Sequence, residues 1–265
     1  MERRKYAGIV LLIIILCFEL AWLGGSAPPA AAEASPPAAT PSPTPSPAPS
    51  PTPEPTPSPT PLPLPPEDEM WKLAIASADY PLEGEYEVET VPVGTGYLFD
   101  ARAAEALEAM LADARADGMD IYITSAWRSR GTQAELYENR VYRFELEGYS
   151  REEAEEIGAT VVARPGTSEH ELGLSVDLIT DTYNVLDEGF AEQPEYQWLL
   201  AHCAEYGFIQ RYPPDKSDIT GIIWEPWHFR YVGAECAGYI MENGLCLEEF
   251  LDLAGLLPES EEETR

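Results

Sequence analysis

Two short segments of this 265-residue chain carry the residue types that run hydrolysis at a metal. Arg164–Asp177 reads RPGTSEHELGLSVD, and Glu225–Tyr231 reads EPWHFRY. They hold His170 and His228, two of the chain's three histidines, together with the carboxylates Asp177 and Glu225. A catalytic zinc takes three protein ligands from His, Asp and Glu and leaves its fourth position to water. A neighbouring carboxylate that does not bind the ion can then take a proton from that water. On this reading His170, Asp177 and His228 are the ligands and Glu225 is the base. Composition alone leaves a plainer reading open, in which both histidines are surface or satisfied core residues.

Other motifs fail on inspection. His170-Glu171 begins like the helical H-E-x-x-H zinc signature, but Leu174 stands where the second histidine belongs. Gly94-x-Gly96 has Phe99 at the third glycine position, so no dinucleotide loop follows.

The elements that must position these residues lie between about Trp71 and the C-terminus. Trp71–Ile75 reads as a first strand. Asp100 is placed to cap a helix through ARAAEALEAMLADARA, which Gly118 ends. Asp120–Ser125 alternates like a strand and runs into Trp127-Arg128-Ser129. A helix follows over about Thr132–Glu147, and Ser150 with Glu153 forms a capping box for another. The loop after it delivers His170, and Ser175–Ile179 is a strand carrying Asp177. Pro194–Tyr206 reads as a helix stopped by Gly207, Phe208–Arg211 and Trp227–Val232 as strands, and two helices close the chain. Short strands and helices mix without strict alternation, so the class is α+β: a small, mostly antiparallel sheet flanked by helices.

The chain before this domain is of another kind. Arg3, Arg4 and Lys5 precede an apolar stretch over Ala7–Leu23, the pattern of an export segment spanning residues 1–26. Glu19 within a short apolar run suits a cleaved signal peptide. No clear small-x-small site follows, which keeps an uncleaved membrane anchor open, and Cys17 lacks the setting of a lipidation site. Residues 27–69 are dominated by Pro, Thr, Ser and Ala. Alternate prolines remove backbone donors and hold the chain near polyproline II, so this segment is a disordered, semi-rigid stalk. At ~3.1 Å per residue, roughly 40 residues reach on the order of 120 Å. The folded domain is expected over 70–258, with an acidic, solvated tail at 259–265. The net charge of −31 argues against nucleic acid as a partner. Cys203, Cys236 and Cys246 make an odd set without metal spacing, so no disulfide framework is expected.

The segment SEHELGLSVD has the pattern S-x-H-x-x-G-x-x-x-D, EPWHFRYVG carries E-x-W-H, and SAWRSRGTQAELY precedes both. In this order the three resemble the VanY-type zinc D,D-peptidases, a group related to VanX-like dipeptidases and to the Hedgehog amino-terminal domain. The likeness covers about Trp71–Leu257. It implies zinc held by His170, Asp177 and His228, with Glu225 as general base toward the water and then the leaving amine. It gives Arg128 a role at the developing oxyanion or on the substrate, where composition alone suggests a surface salt bridge. Gln133 and Ser168 match positions that face substrate, although Ser168 would also serve as a loop cap. Trp227 is implied to orient its neighbours by packing, while Arg164 and Arg230 read as structural and His202 as lying outside the site. The implied protein is an exported, monomeric carboxypeptidase at a bacterial cell wall, acting on peptidoglycan stem peptides. An L,D-carboxypeptidase, a dipeptidase and a non-catalytic zinc module that binds the wall are the rival readings.

Overall fold

The computed structural model describes residues 62–257. The expected export segment, the expected stalk through residue 61 and the expected acidic tail lie outside the described residues. Packing reaches upstream of residue 70. Leu62 joins the apolar cluster of the C-terminal helices, and the Cys236 thiol donates to the Pro63 carbonyl at 3.0 Å.

The expected strand at Trp71–Ile75 is instead a 3₁₀ turn over Glu67–Leu73, after Pro66. Three acidic residues in its first turn favour a helical start, since they face unpaired backbone N–H groups. Trp71 then stacks on Tyr231 with ring centroids 6.0 Å apart, and the Arg102 guanidinium lies 3.8 Å over its ring. A hairpin that sequence patterning passes over follows, β1 (Thr90–Val93) and β2 (Tyr97–Asp100). Helix α1 spans Ala104–Ala116. Asp100 does not cap it directly; its carboxylate accepts from the Arg102 backbone N–H at 2.8 Å, within the preceding turn.

The sheet that carries the chemistry has four antiparallel strands in the order β3 (Ile121–Ser125), β4 (Ser175–Thr180), β6 (His228–Tyr231), β5 (Phe208–Gln210). Between β3 and β4 run α2 (Arg130–Leu146), capped by the Ser129 hydroxyl, and α3 (Arg151–Ala159), opened by the expected Ser150–Glu153 capping box. Helix α4 (Pro194–His202) continues as a 3₁₀ turn over Cys203–Tyr206, and the short α5 is Ser217–Thr220. Helices α6 (Ala234–Asn243) and α7 (Leu247–Ala254) close the domain. Gly207 ends the α4 region at φ +84°, where a Cβ would stand 2.8 Å from the Tyr231 ring, so only glycine lets β5 start there.

Two apolar clusters hold the sheet. One joins α1 and α4 to Val176, Leu178, Phe208 and Phe229. The other joins α6 and α7 to Ile209 and Val232. Strand β4 is buried along nearly its whole length because strands flank it on both sides and clusters cover it. Cys203, Cys236 and Cys246 are free and buried. Among the described residues no helix is long and apolar enough to cross a membrane.

Candidate active site

Sheet register brings the first two site residues together. Asp177 on β4 pairs with His228 on β6, and Ser125 of β3 pairs with Asp177 across a register shift. Directly opposed antiparallel residues have Cβ atoms roughly 5 Å apart, within reach of one shared ion. The third, His170, arrives on a 3₁₀ turn over Glu169–Leu172 just before β4. That turn ends at Gly173 with φ +74°, and a Cβ there would meet the Asp100 backbone nitrogen and the Trp127 ring at 3.4 Å. The chain doubles back there only because Gly173 has no side chain.

His170, Asp177 and His228 are buried, and each offers a ligand atom within 4.8 Å of the other two. His170 Nε2 stands 3.2 Å from Asp177 Oδ2, and His228 Nδ1 stands 3.1 Å from Asp177 Oδ1. The two imidazoles meet edge to face at 4.9 Å. His170 Nδ1 lies 2.7 Å from the Ala126 carbonyl. Donating there leaves the Nε2 lone pair free to face the shared point, the usual orienting bond of a metal-bound histidine. Asp177 Oδ1 is buried without a hydrogen-bond donor. Two imidazole nitrogens and one carboxylate oxygen converging in a buried pocket form the donor set of a catalytic zinc.

The charge states fit as well. Burial, reinforced by Arg128, pushes the His170 imidazole down to about 4. Burial opposes the charge on Asp177, but the two histidines outweigh it and hold Asp177 well below the usual carboxylate range. Neutral imidazole and ionised carboxylate are the forms that bind metal.

Glu225 sits at the edge of this group, buried, with Oε2 3.5 Å from His228 Nδ1. Burial and the adjacent Asp177 raise its carboxyl well above the ordinary range, against the pull of Arg128 and Arg140. A raised carboxyl beside an ionised one is an arrangement suited to proton transfer. Arg128 follows β3; its backbone N–H donates to the His170 carbonyl at 3.1 Å, and Nη2 lies 4.0 Å from Asp177 Oδ2. Its Nε is buried with no partner. An arginine fork with an unfilled donor beside the site can take an anionic oxygen.

The remaining expected residues divide. Gln133 is buried on α2 and donates Nε2 to the Ala163 carbonyl at 2.7 Å, leaving Oε1 without a partner. Ser168 is buried before the His170 turn, but its hydroxyl makes no capping bond, so the loop-cap reading fails. Trp227 is buried in the main apolar cluster between base and ligand. Arg164 is exposed and bonds the Glu155 carbonyl, whereas Arg230 is wholly buried among backbone and Glu169 partners. His202 is half-buried on α4 and pairs with Glu205, outside the His170–Asp177–His228 group. Sequence reasoning missed Tyr212, a buried residue whose ring lies 4.8 Å from His228 and whose carbonyl accepts from the Glu225 N–H. It follows the short strand β5 and has no spacing signal to mark it.

The family model described as VanY, D-alanyl-D-alanine carboxypeptidase, matches residues 97–234 and so spans every residue of this site. The chain belongs to the VanY family. Within it, the chain is 38% identical over 186 residues to the D-alanyl-D-alanine carboxypeptidase of Enterococcus faecalis, covering 70% of this chain and 68% of that one. A VanY enzyme from a VanB-type vancomycin-resistance cassette, solved with Zn(II), superposes with TM-score 0.63 at 39% identity, covering 68% of this chain and 99% of its own. VanYB in complex with D-alanine-D-alanine gives the same score and identity, with coverage of 69% and 98%. The LD-carboxypeptidase LdcB follows at 0.60 and 32%, covering 68% of this chain and 86% of that chain. The α+β class and small antiparallel sheet of this chain are those of its VanY neighbours.

Proposed function

We propose that this protein is an exported zinc carboxypeptidase that removes the terminal D-alanine from peptidoglycan stem peptides. His170, Asp177 and His228 hold the ion, and Glu225 is the general base. Membership of the VanY family makes the chain a hydrolase of the D-alanyl-D-alanine carboxypeptidase class. The observation that carries the residue assignment is the convergence of His170 Nε2 and His228 Nδ1 on the two oxygens of Asp177, with Glu225 beside His228. Zinc suits that donor set, and a VanY relative is a zinc complex.

Zinc, when bound, polarises a carbonyl and lowers the pKa of water to about 7. Around it, Ala126 fixes the His170 tautomer and Asp177 faces both imidazoles. Glu225 accepts the proton of the attacking water and returns it to the leaving amine, a transfer for which its raised pKa is suited. Arg128, with its Nε unfilled, takes a substrate oxygen, and Gln133, with Oε1 unpartnered, and Ser168 serve as further substrate contacts. The N-terminal basic and apolar segment and the proline stalk support action outside the cytoplasm at the wall.

A second reading has its own support. LdcB, an LD-carboxypeptidase, is similar in structure to this chain, so a tetrapeptide register is the rival. The higher identity to VanY, 39% against 32%, favours the D,D reading. The deciding assay incubates the full-length protein with pentapeptide and tetrapeptide stems in parallel and weighs the products by mass spectrometry. Loss of one alanine from the pentapeptide alone is expected; loss from the tetrapeptide alone moves the assignment to L,D.

A further inference from the structure

Behind the metal ligands the fold buries two glutamates and two arginines that the hydrolysis does not use. Arg211 and Arg230 are 0% exposed, and Glu169 and Glu248 are buried with them. Arg211 donates Nε to Glu169 Oε1 at 2.9 Å and forks onto both oxygens of Glu248 at 2.8 and 2.6 Å. Arg230 Nη1 stands 2.7 Å from the same Glu169 oxygen, while Nη2 donates to the carbonyls of Lys72 and Ala74. The four formal charges cancel. Such buried groups rarely add stability over an apolar core, because desolvation offsets their attraction, and fixing position is the best-attested use of them.

Their attachments show what is fixed. Glu169 immediately precedes the ligand His170. Arg230 lies on the strand of His228 and pairs with Ser175, at the start of the strand that bears Asp177. The Arg211 backbone N–H donates to the His228 carbonyl at 3.2 Å, and Arg211 precedes Tyr212, whose ring packs on His228. One connected network therefore touches the backbone beside both histidine ligands. Its outer end, Glu248, is on α7, beyond the residues that the family model matches.

We propose that Glu248 is a positioning residue for the metal centre: through Arg211 and Glu169 it sets the spacing of the His170 and His228 segments, so that α7 helps determine zinc affinity. The inference rests on the ligand assignment above. Removing Glu248 leaves an unbalanced buried arginine, which moves the backbone it is bonded to and adds positive charge near a divalent cation. Both effects weaken zinc binding.

The test uses full-length protein, with zinc affinity read by competition against a chelator of known affinity and folding read by circular dichroism. Glu248→Gln keeps the side-chain shape and removes the charge; at least a tenfold loss of zinc affinity in the folded variant is expected. Glu249→Gln is the control, because Glu249 neighbours it on α7 but pairs with the partly exposed Lys216 and caps Cys246, and its affinity should stay within twofold of wild type. A folded Glu248→Gln with wild-type zinc affinity would reduce the network to a structural role and overturn the inference. Where Glu248→Gln does not fold, the neutral pair Arg211→Met with Glu248→Leu replaces it, with the same tenfold loss expected and wild-type affinity overturning the idea. His170→Ala, run in parallel, separates the two failures: zinc retained there sinks the ligand assignment itself.

Discussion

Asp177 and His228 face each other across the β4–β6 ladder, with Asp177 Oδ1 3.1 Å from His228 Nδ1. Two of the three proposed ligands are thus placed by sheet register, and only His170 depends on a loop. A one-residue slip of β6 would turn His228 to the opposite face, so the hydrophobic pattern that sets the register also sets the site.

Asp177→Ala should therefore lose zinc without losing the sheet. Losing a direct ligand should cost more than the roughly 10–100-fold in affinity that losing an outer partner costs. Elemental analysis of the purified variant gives the answer directly: a stoichiometric ion would remove Asp177 from the ligand set.

Glu225 offers the complementary separation. Glu225→Gln should keep zinc and the fold but lose about 10²–10⁴-fold in turnover, or roughly 3–5 kcal/mol of barrier. Zinc content and D-alanine release measured on the same sample test both halves. An unchanged rate would assign the base elsewhere.

The zinc-stripped protein should be acid-sensitive through His170. Burial and Arg128 hold its folded-state pKa down to about 4, against an ordinary value near 6.5. The unfolded chain therefore takes up a proton that the folded chain refuses. Stability is full above pH ~6.5 and falls toward about 4, by up to roughly 3 kcal/mol. Thermal melts of chelator-treated wild type and His170→Gln across this range should converge as pH falls. Parallel curves would contradict the assignment.

Much of this was legible beforehand because it is local. The capping box at Ser150 and Glu153, the patterned strands and the two short metal motifs each lie within a few residues of sequence. What was missed is long-range. Arg211 meets Glu169 and Glu248 across 42 and 37 residues, and no periodicity marks pairs that distant. Trp71–Ile75 misread as a strand because its apolar residues pack on Tyr231 and the C-terminal cluster from a 3₁₀ turn and the chain beyond it. The β1–β2 hairpin turns through Gly94 and Gly96, which drew attention only as an incomplete nucleotide motif.

Gly173→Ala tests the turn that delivers His170. The substitution forces a side chain into positive φ against Asp100 and Trp127, at a cost on the order of 1–3 kcal/mol. The melting temperature should fall and zinc affinity with it, since the turn that bears the ligand is what relaxes. A lower melting temperature with wild-type zinc affinity would show that His170 is held by its bond to Ala126 alone.

Arg128 separates ground-state binding from catalysis. Its Nη2 is 4.0 Å from a carboxylate oxygen of Asp177, its backbone holds the His170 carbonyl, and its Nε is unfilled. A guanidinium this close to Asp177 is expected to meet the charge that develops on the scissile carbonyl, rather than the far end of a peptide. Arg128→Lys keeps the positive charge but loses the planar fork, and the shorter reach of its donors breaks two-point contact. Losing one oxyanion donor costs roughly 10²–10³-fold in turnover. The expected result is that loss in kcat, with KM within about threefold of wild type and zinc retained, because an interaction made only in the transition state leaves ground-state affinity alone. A raised KM with kcat preserved would instead make Arg128 the anchor of the substrate's terminal carboxylate.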